Sequence, residues 1–301
     1  MWRPFILAAF VLGMGAAPVH ASQLIDRNAT GVKLAVNSKG EALLTYTSGG
    51  KLKHVLAWGA VNAIAPSADL KQVEFSLDYS GGYGKYKRNY WQTFGSACGH
   101  YAGPALADLV AVCTAPDGSN WALQAWQRAL PDYGVAPSPT QAVVELHLSH
   151  WTGALPVLTV VTDWAYKRFD HLFGSFVYGK TGVYGFHATP QGNPLDSFGR
   201  NVYIDTFDSA YGSGWKRENS FLTHAPNGTF CYGFYPHGNH PIGKGTKYRA
   251  TIIGPGVTPD VMWEGTPAGT YDEAKEASLQ LEQRNSFADD TCISVQATKP
   301  G

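Results

Sequence analysis

Charged residues are scarce in this chain of 301 residues. Asp, Glu, Lys and Arg make up 15% of it, and the formal net charge is zero. Nucleic-acid binding needs an excess of basic side chains to displace counterions from phosphates, so we expect no nucleic-acid partner. Beyond the first twenty residues, no apolar run reaches the 18 or so that cross a membrane as a helix. We therefore expect no membrane insertion of the mature chain.

Several catalytic motifs are also missing. The sequence contains no Gly-x-Ser-x-Gly, no His-Glu-x-x-His and no phosphate-binding loop, which disfavours nucleophile-based and nucleotide-dependent enzymes. We expect no cofactor.

Histidine spacing does not favour a metal site. On a regular strand, His147 and His150 point to opposite faces. His237 and His240 share a loop in which both rings could converge with His224. A zinc site needs three or four well-placed ligands, so we expect no metal.

The first 21 residues have the layout of a secretory signal peptide. Arg3 gives a positive start, Phe5–Ala17 an apolar run, and Val19-His20-Ala21 a cleavage site before Ser22. We expect a secreted, extracellular protein whose mature chain covers residues 22–301. Its four cysteines should then be oxidised, and their spacing favours the pairs Cys98–Cys113 and Cys231–Cys292.

Short apolar runs separated by Gly, Pro, Ser and Asn turns predict a mainly β fold. We expect an antiparallel sandwich or barrel. The predicted strands are Val32–Val36, Ala42–Thr47, Lys51–Trp58, Val73–Asp78, Trp121–Arg128, Val143–Ser149, Val157–Trp164, Leu172–Tyr178, Val183–His187, Val202–Phe207, Thr229–Tyr235 and Lys247–Ile253.

One C-terminal helix is predicted. Thr270 and Glu273 have the spacing of a capping box. Tyr271, Ala274, Ala277 and Leu281 then fall on one side at helical spacing, to about residue 285. A weaker pattern after Pro104 fits either a second helix or a strand ending at Cys113.

A weak internal sequence repeat suggests two related β units, 22–140 and 141–301. Tyr83–Asn89 resembles Tyr211–Asn219, and Ala115–Ser119 resembles Ala225–Thr229. The alternative is that Pro-Asp-Gly and Pro-Asn-Gly are simply common turn sequences.

Three phrases resemble ones in uncharacterised secreted proteins of high-GC Gram-positive bacteria: Tyr79–Tyr86, Trp121–Trp126 and Gly254–Trp263. The resemblance would cover most of the mature chain. It implies bacterial export and says nothing about activity.

Aromatic residues among polar neighbours are the candidate ligand-binding residues. Strand alternation puts Trp126 on one face with Gln124 and Arg128, where an indole could stack on a sugar ring. Tyr83 lies in a Gly-rich basic loop, and Trp215 precedes Lys216 and Arg217. The alternative is that these rings pack for stability, with cations laid across them.

Three carboxylates could instead serve a hydrolase. Asp205 lies on a predicted strand, Asp208 begins the following loop, and Glu218 follows it. A glycosidase pair would need a defined separation of its carboxyl groups. Our leading hypothesis is therefore a secreted, non-catalytic protein that binds polysaccharide at or outside the cell envelope. The alternatives are a glycan hydrolase and a structural or protein-interaction module.

Overall fold

The computed structural model describes residues 22–64, 72–128, 143–183, 202–218, 223–224, 227–235 and 242–286. The strands in these ranges are β1 Gln23–Arg27, β2 Thr30–Val36, β3 Ala42–Ser48, β4 Lys51–Trp58, β5 Ser76–Asp78, β6 Leu109–Thr114, β7 Asn120–Arg128, β8 Val143–Trp151, β9 Val157–Ala165, β10 Phe169–Tyr178, β11 Thr181–Gly182, β12 Val202–Ser209, β13 Gly212–Arg217, β14 Thr223–His224, β15 Thr229–Gly233, β16 Lys247–Ile252 and β17 Val261–Gly265. The helices are α1 Tyr83–Tyr86, a single turn, α2 Glu273–Ser286, and a 3₁₀ turn at Tyr90–Thr93.

The N-terminal strands form two antiparallel sheets, in the orders β2-β3-β4-β5 and β1-β8-β7-β6. Alternate residues of both sheets meet in one hydrophobic cluster, in which Leu44 and Val55 of the first sheet and Trp121 and Leu148 of the second are fully buried. This period-two burial is what a sandwich core requires.

A second pair of sheets follows. Its strand orders are β13-β12-β16-β17 and β9-β10-β15-β14, with β11 pairing the end of β10. Ile204 and Tyr248 of one sheet and Leu172 and Phe230 of the other share its hydrophobic cluster. The predicted mainly β, antiparallel fold is confirmed, and it is compatible with a β-sandwich.

The chain passes from the first pair of sheets to the second after Trp151. Strand β8 pairs with β1 and β7, so it belongs with the N-terminal sheets, and the change of sheet comes later than residue 140. The relatedness of the two units stays a prediction.

The C-terminal helix is confirmed, but its predicted cap and buried face were wrong. Asp272, not Thr270, caps α2: its side chain accepts the amide hydrogen of Lys275 at 3.0 Å. Leu281 is 59% exposed, whereas Glu276 and Gln283 are buried. The helix buries polar groups because it packs on Asp163, whose carboxylate accepts a hydrogen bond from Gln283.

The Cys98–Cys113 disulfide is present and ties the 99–108 loop to β6. Cys231 is disulfide-bonded as well, but the other member of its predicted pair, Cys292, lies outside the described residues. The segment after Pro104 ends in a strand, β6, and not in a helix. No helix in the described ranges is long and apolar enough to span a membrane.

Candidate functional site

The polar face of β7 is covered. Trp126 is 2% exposed and Gln124 is fully buried, because the loop before β17 lies over them. Trp126 donates its indole hydrogen to Asp260 at 2.9 Å, and Gln124 exchanges two hydrogen bonds with the backbone of Asp260, each 2.9 Å long. The prediction that Trp126 and Gln124 offer a surface for stacking sugar was therefore wrong. The side chain of Arg128 lies outside the described residues.

His147 lies at the centre of a buried polar cluster beside Trp126. Its Nδ1 atom is 2.6 Å from Ser22 Oγ and 3.3 Å from Asp260 Oδ2, and its Nε2 atom is 3.5 Å from Glu145 Oε2. Serine, imidazole and carboxylate are the groups of a nucleophilic triad. Here, however, all four residues are less than 5% exposed, so the cluster joins the two sandwiches and offers no entrance for a substrate. Sequence reasoning missed Ser22 and Asp260, which no local pattern links to His147.

Asp205 is the centre of a cross-strand ladder. It is fully buried and accepts hydrogen bonds from Arg217 at 2.6 Å and from Arg249 at 2.9 Å. The Arg217 guanidinium lies 4.1 Å from the Tyr203 ring, and that of Arg249 lies 4.5 Å from the Trp215 ring. Paired, stacked arginines of this kind hold a sheet together. Trp215 is half-buried, and one face of its ring packs against the Arg249 guanidinium.

Glu218 lies on the other side of the same sheet. Its carboxylate accepts hydrogen bonds from Tyr232 at 3.0 Å and from Thr206 at 3.1 Å. Thr206 follows Asp205 on β12, so the two point to opposite faces. Burial raises the pKa of Glu218 to about 7, against the hydroxyl hydrogen bonds, which lower it.

Asp208, the third candidate carboxylate, is exposed at the bulge near the end of β12. It accepts the amide hydrogen of Gly214 at 2.7 Å, which is the work of a turn residue. Asp205, Asp208 and Glu218 therefore do not face one another across a cleft, and the predicted hydrolase pair is not assembled.

The histidines of β8 behave as strand alternation predicts. His150 points into the N-terminal core, where its ring stacks 3.7 Å from that of Trp121 and its Nε2 atom is 2.8 Å from Ser119 Oγ. Among the residues that the structure describes, no group of three His, Cys, Asp or Glu could hold a metal ion. His237, His240 and the side chain of His224 lie outside them.

Tyr83 belongs to a different environment, the 78–94 segment on the outer face of the β2–β5 sheet. The outward residues of β4 alternate with the core residues Val55 and Ala57. On that outer face the Trp91 ring stacks on His54 at 4.2 Å, nearly parallel. Gly82 makes the close approach possible: its φ is +98°, and a Cβ there would lie 2.7 Å from Tyr90 Cβ.

Two carboxylates fix this segment. Glu41 accepts hydrogen bonds from Lys85 at 2.7 Å, from Tyr90 at 3.1 Å and from the hydroxyl of Tyr86. Although Glu41 is buried, these partners lower its pKa to about 2. Asp78 accepts the amide hydrogens of Ser80 at 2.9 Å and Lys85 at 3.0 Å. The segment is therefore a rigid cover.

Aromatic rings lie on this cover and at the end of β4, where Trp58 is located. Tyr83 is 54% exposed, and Trp58, Tyr86 and Trp91 are half-buried. We call these four residues the aromatic surface. Lys85 joins two of them, because its ammonium lies 4.0 Å from the Trp58 ring and 5.4 Å from the Tyr86 ring. Of the ligand-binding residues predicted from the sequence, Tyr83 alone among those described is prominently exposed.

A cavity of about 370 Å³ opens beside the disulfide-tied loop. Its walls include Tyr101 and Trp151, whose rings meet edge to face at 5.8 Å, and the polar side chains of Thr114 and Asn120. The Thr114 hydroxyl donates to Asn120 Oδ1 at 2.8 Å. The cavity has the size of a small-ligand site, but it lacks Asp, Glu, Lys and Arg among its lining residues.

Comparison with known protein families, with curated proteins and with solved structures finds no match for this chain. The resemblance to secreted proteins of high-GC Gram-positive bacteria therefore stays a prediction.

Proposed function

We propose that this chain is a secreted, non-catalytic protein that binds polysaccharide outside the cell, and that the aromatic surface contacts the sugar rings. One observation carries the proposal: Tyr83 presents an exposed ring, and Tyr86 and Trp91 half-buried rings, on a segment that Glu41 and Asp78 hold rigid. Trp58, at the end of β4, joins them through Lys85. Aromatic rings give a large contact area, and tyrosine adds a polar end suited to a wet ligand.

Rigidity favours binding because little side-chain freedom remains to be lost when a ligand arrives. Tyr86 illustrates the point, since Glu41 accepts a hydrogen bond from its hydroxyl and its ring is half-buried. The candidate carboxylates, in contrast, do not converge: Asp205 and Glu218 lie on opposite faces of one sheet, and Asp208 is bonded to the backbone amide of Gly214. The expectation of a non-catalytic role rests on that separation.

The experiment measures retention of the chain from Ser22 onward on a panel of insoluble and immobilised polysaccharides. Tyr83→Ala should weaken binding about five-fold, which corresponds to about 1 kcal/mol for one lost ring contact. The matched control is Leu281→Ala, because Leu281 is 59% exposed on α2, far along the chain from the aromatic surface.

Both side chains are exposed, so neither change should move the free energy of unfolding by more than about 0.5 kcal/mol. Equal retention of the two variants would contradict the assignment of the surface. If the unsubstituted protein binds no polysaccharide of the panel, the proposed function fails. Release of soluble sugar from any of them would favour the hydrolase.

A further inference from the structure

The aromatic surface lies in the most basic part of the chain. Residues 30–94 contain eight Lys and Arg and four Asp and Glu, a net charge of +4 in a protein whose formal net charge is zero. Charge separated in this way creates a local field that attracts anions even though the whole molecule is neutral.

One of the four acidic residues in this part of the chain is internal. Glu41 is buried and pairs with Lys85, so its charge does little to neutralise the outer surface. The half-buried carboxylate of Asp78 binds backbone amides of the turn that follows it.

Three exposed cations lie on the same part of the chain as the aromatic rings. Lys39, Lys87 and Arg88 have no carboxylate within ion-pair distance in the described part of the chain. The Lys39 ammonium lies 5.9 Å from the Tyr86 ring, and the Arg88 guanidinium lies 5.4 Å from the Tyr90 ring. Lys87 is one helical turn from Tyr83, because its backbone amide donates to the Tyr83 carbonyl at 2.8 Å.

The geometry points to an acidic polysaccharide, one whose sugar rings carry carboxylates, as the ligand of the aromatic surface; this inference rests on the proposed function. A uronic acid bears its carboxylate on the ring itself, so ring and charge are only a few ångström apart. Within the aromatic surface, the ammonium groups of Lys39 and Lys85 lie 4.0–5.9 Å from the Trp58 and Tyr86 rings. A sugar stacked on either ring therefore places its carboxylate beside a cation. Arg88, exposed two residues after Tyr86, can bind a carboxylate through two parallel hydrogen bonds.

Single-stranded nucleic acid also combines stacking groups with negative charge. It is less well matched, because nucleic-acid binders use extended basic grooves and the remainder of this chain has a net charge of −4. Nucleic acid is therefore an outcome that the experiment must separate from the acidic polysaccharide.

The experiment uses polygalacturonate, alginate and hyaluronate, each beside its fully methyl-esterified form, which keeps the rings and removes the charge. We expect at least one acidic polymer to bind at least ten-fold more tightly than its ester at 50 mM NaCl, with affinity falling as salt rises. The double variant Lys87→Gln, Arg88→Gln should make the fall of log K with log salt less steep, because two cationic contacts are lost. The control Lys244→Gln, an exposed lysine beyond residues 30–94, should leave it unchanged.

Equal binding of the acidic and esterified forms would overturn the inference and leave the proposed function standing. Tighter binding of oligo-dT than of every acidic polysaccharide would also overturn it. An unchanged slope in the double variant, with an unchanged melting temperature, would remove Lys87 and Arg88 from the site and contradict the inference. If no acidic polymer binds while neutral polysaccharides do, the inference alone fails; if nothing binds, the proposed function fails with it.

Discussion

The ionisation of Glu218 should make the stability of this protein fall as pH rises. Its carboxyl group is 2% exposed, and burial raises its pKa from 4.5 to about 7. Between these two values the folded state binds more protons than the unfolded state, so the free energy of unfolding decreases with increasing pH. Below pH 4.5 the group is protonated in both states, and no stability is lost. Above pH 7 the loss is complete.

The magnitude follows from the size of the shift. A difference of about 2.5 pKa units corresponds to about 3 kcal/mol, at about 1.4 kcal/mol per unit. For a chain of this size, that is about 6 °C in melting temperature. Glu218→Gln removes the ionisation but keeps the shape, and the amide oxygen can still accept a hydrogen bond from Tyr232 or Thr206.

The assay compares the melting temperatures of Glu218→Gln and the unsubstituted protein from pH 4 to pH 9. The difference between them cancels the titrations that both proteins share. We expect the variant to gain about 6 °C relative to the unsubstituted protein between pH 4.5 and pH 8. A difference that does not change with pH would refute the reasoning, because it would mean that Glu218 keeps an ordinary pKa in the folded state.

Three further changes test other parts of the structure. Glu41→Gln should act in the opposite sense. The lowered pKa of Glu41, about 2, adds stability above pH 4.5 that is lost as pH falls toward 2. The destabilisation of this variant, measured by urea unfolding, should therefore be greatest near neutral pH and shrink in acid. Trp126→Ala should lower the free energy of unfolding by about 3–5 kcal/mol, since the ring is 2% exposed and bonded to Asp260; a shift of less than about 1 kcal/mol in denaturant unfolding would contradict its burial. Gly82→Ala should displace Tyr90, because the added Cβ would lie 2.7 Å from Tyr90 Cβ at a φ of +98°. We expect a lower melting temperature and a shift in tryptophan emission, since Trp91 adjoins Tyr90. Wild-type values of both would argue against so tight a turn at Gly82.

Strand positions were predictable wherever turns punctuate alternating residues. Lys51–Trp58 was predicted with its observed limits, because Ser-Gly-Gly precedes it and Gly59 follows it. Strands β1, β11, β13, β14 and β17 were missed. Strand β13, Gly212–Arg217, contains two glycines and few apolar residues, so its stability comes from pairing with β12 and from the arginine ladder rather than from its own pattern.

The face of α2 was wrong for a related reason. Apolar spacing placed Ala274, Ala277 and Leu281 against the body of the protein, but Glu276 and Gln283 are the buried residues. Their partner is the Asp163 region of β9, whose polar side chains come from a part of the chain more than a hundred residues earlier. A single sequence does not reveal that a helix will meet polar groups, so the hydrophobic pattern indicates the side that the structure leaves exposed.

The two predicted aromatic sites differ in what covers them. Trp126 and Tyr83 both have polar neighbours in the sequence, yet one is buried and the other exposed. A polar strand face is exposed only if no second layer packs on it, and in a chain with two sandwiches the outer face of one can meet the loops of the other. Asp260, 134 residues from Trp126, supplies that cover. Tyr83 lies instead on a segment that is itself the outermost layer over β4, so its ring remains exposed. Exposed rings are therefore to be sought on this covering segment, and the tests of binding begin with Tyr83.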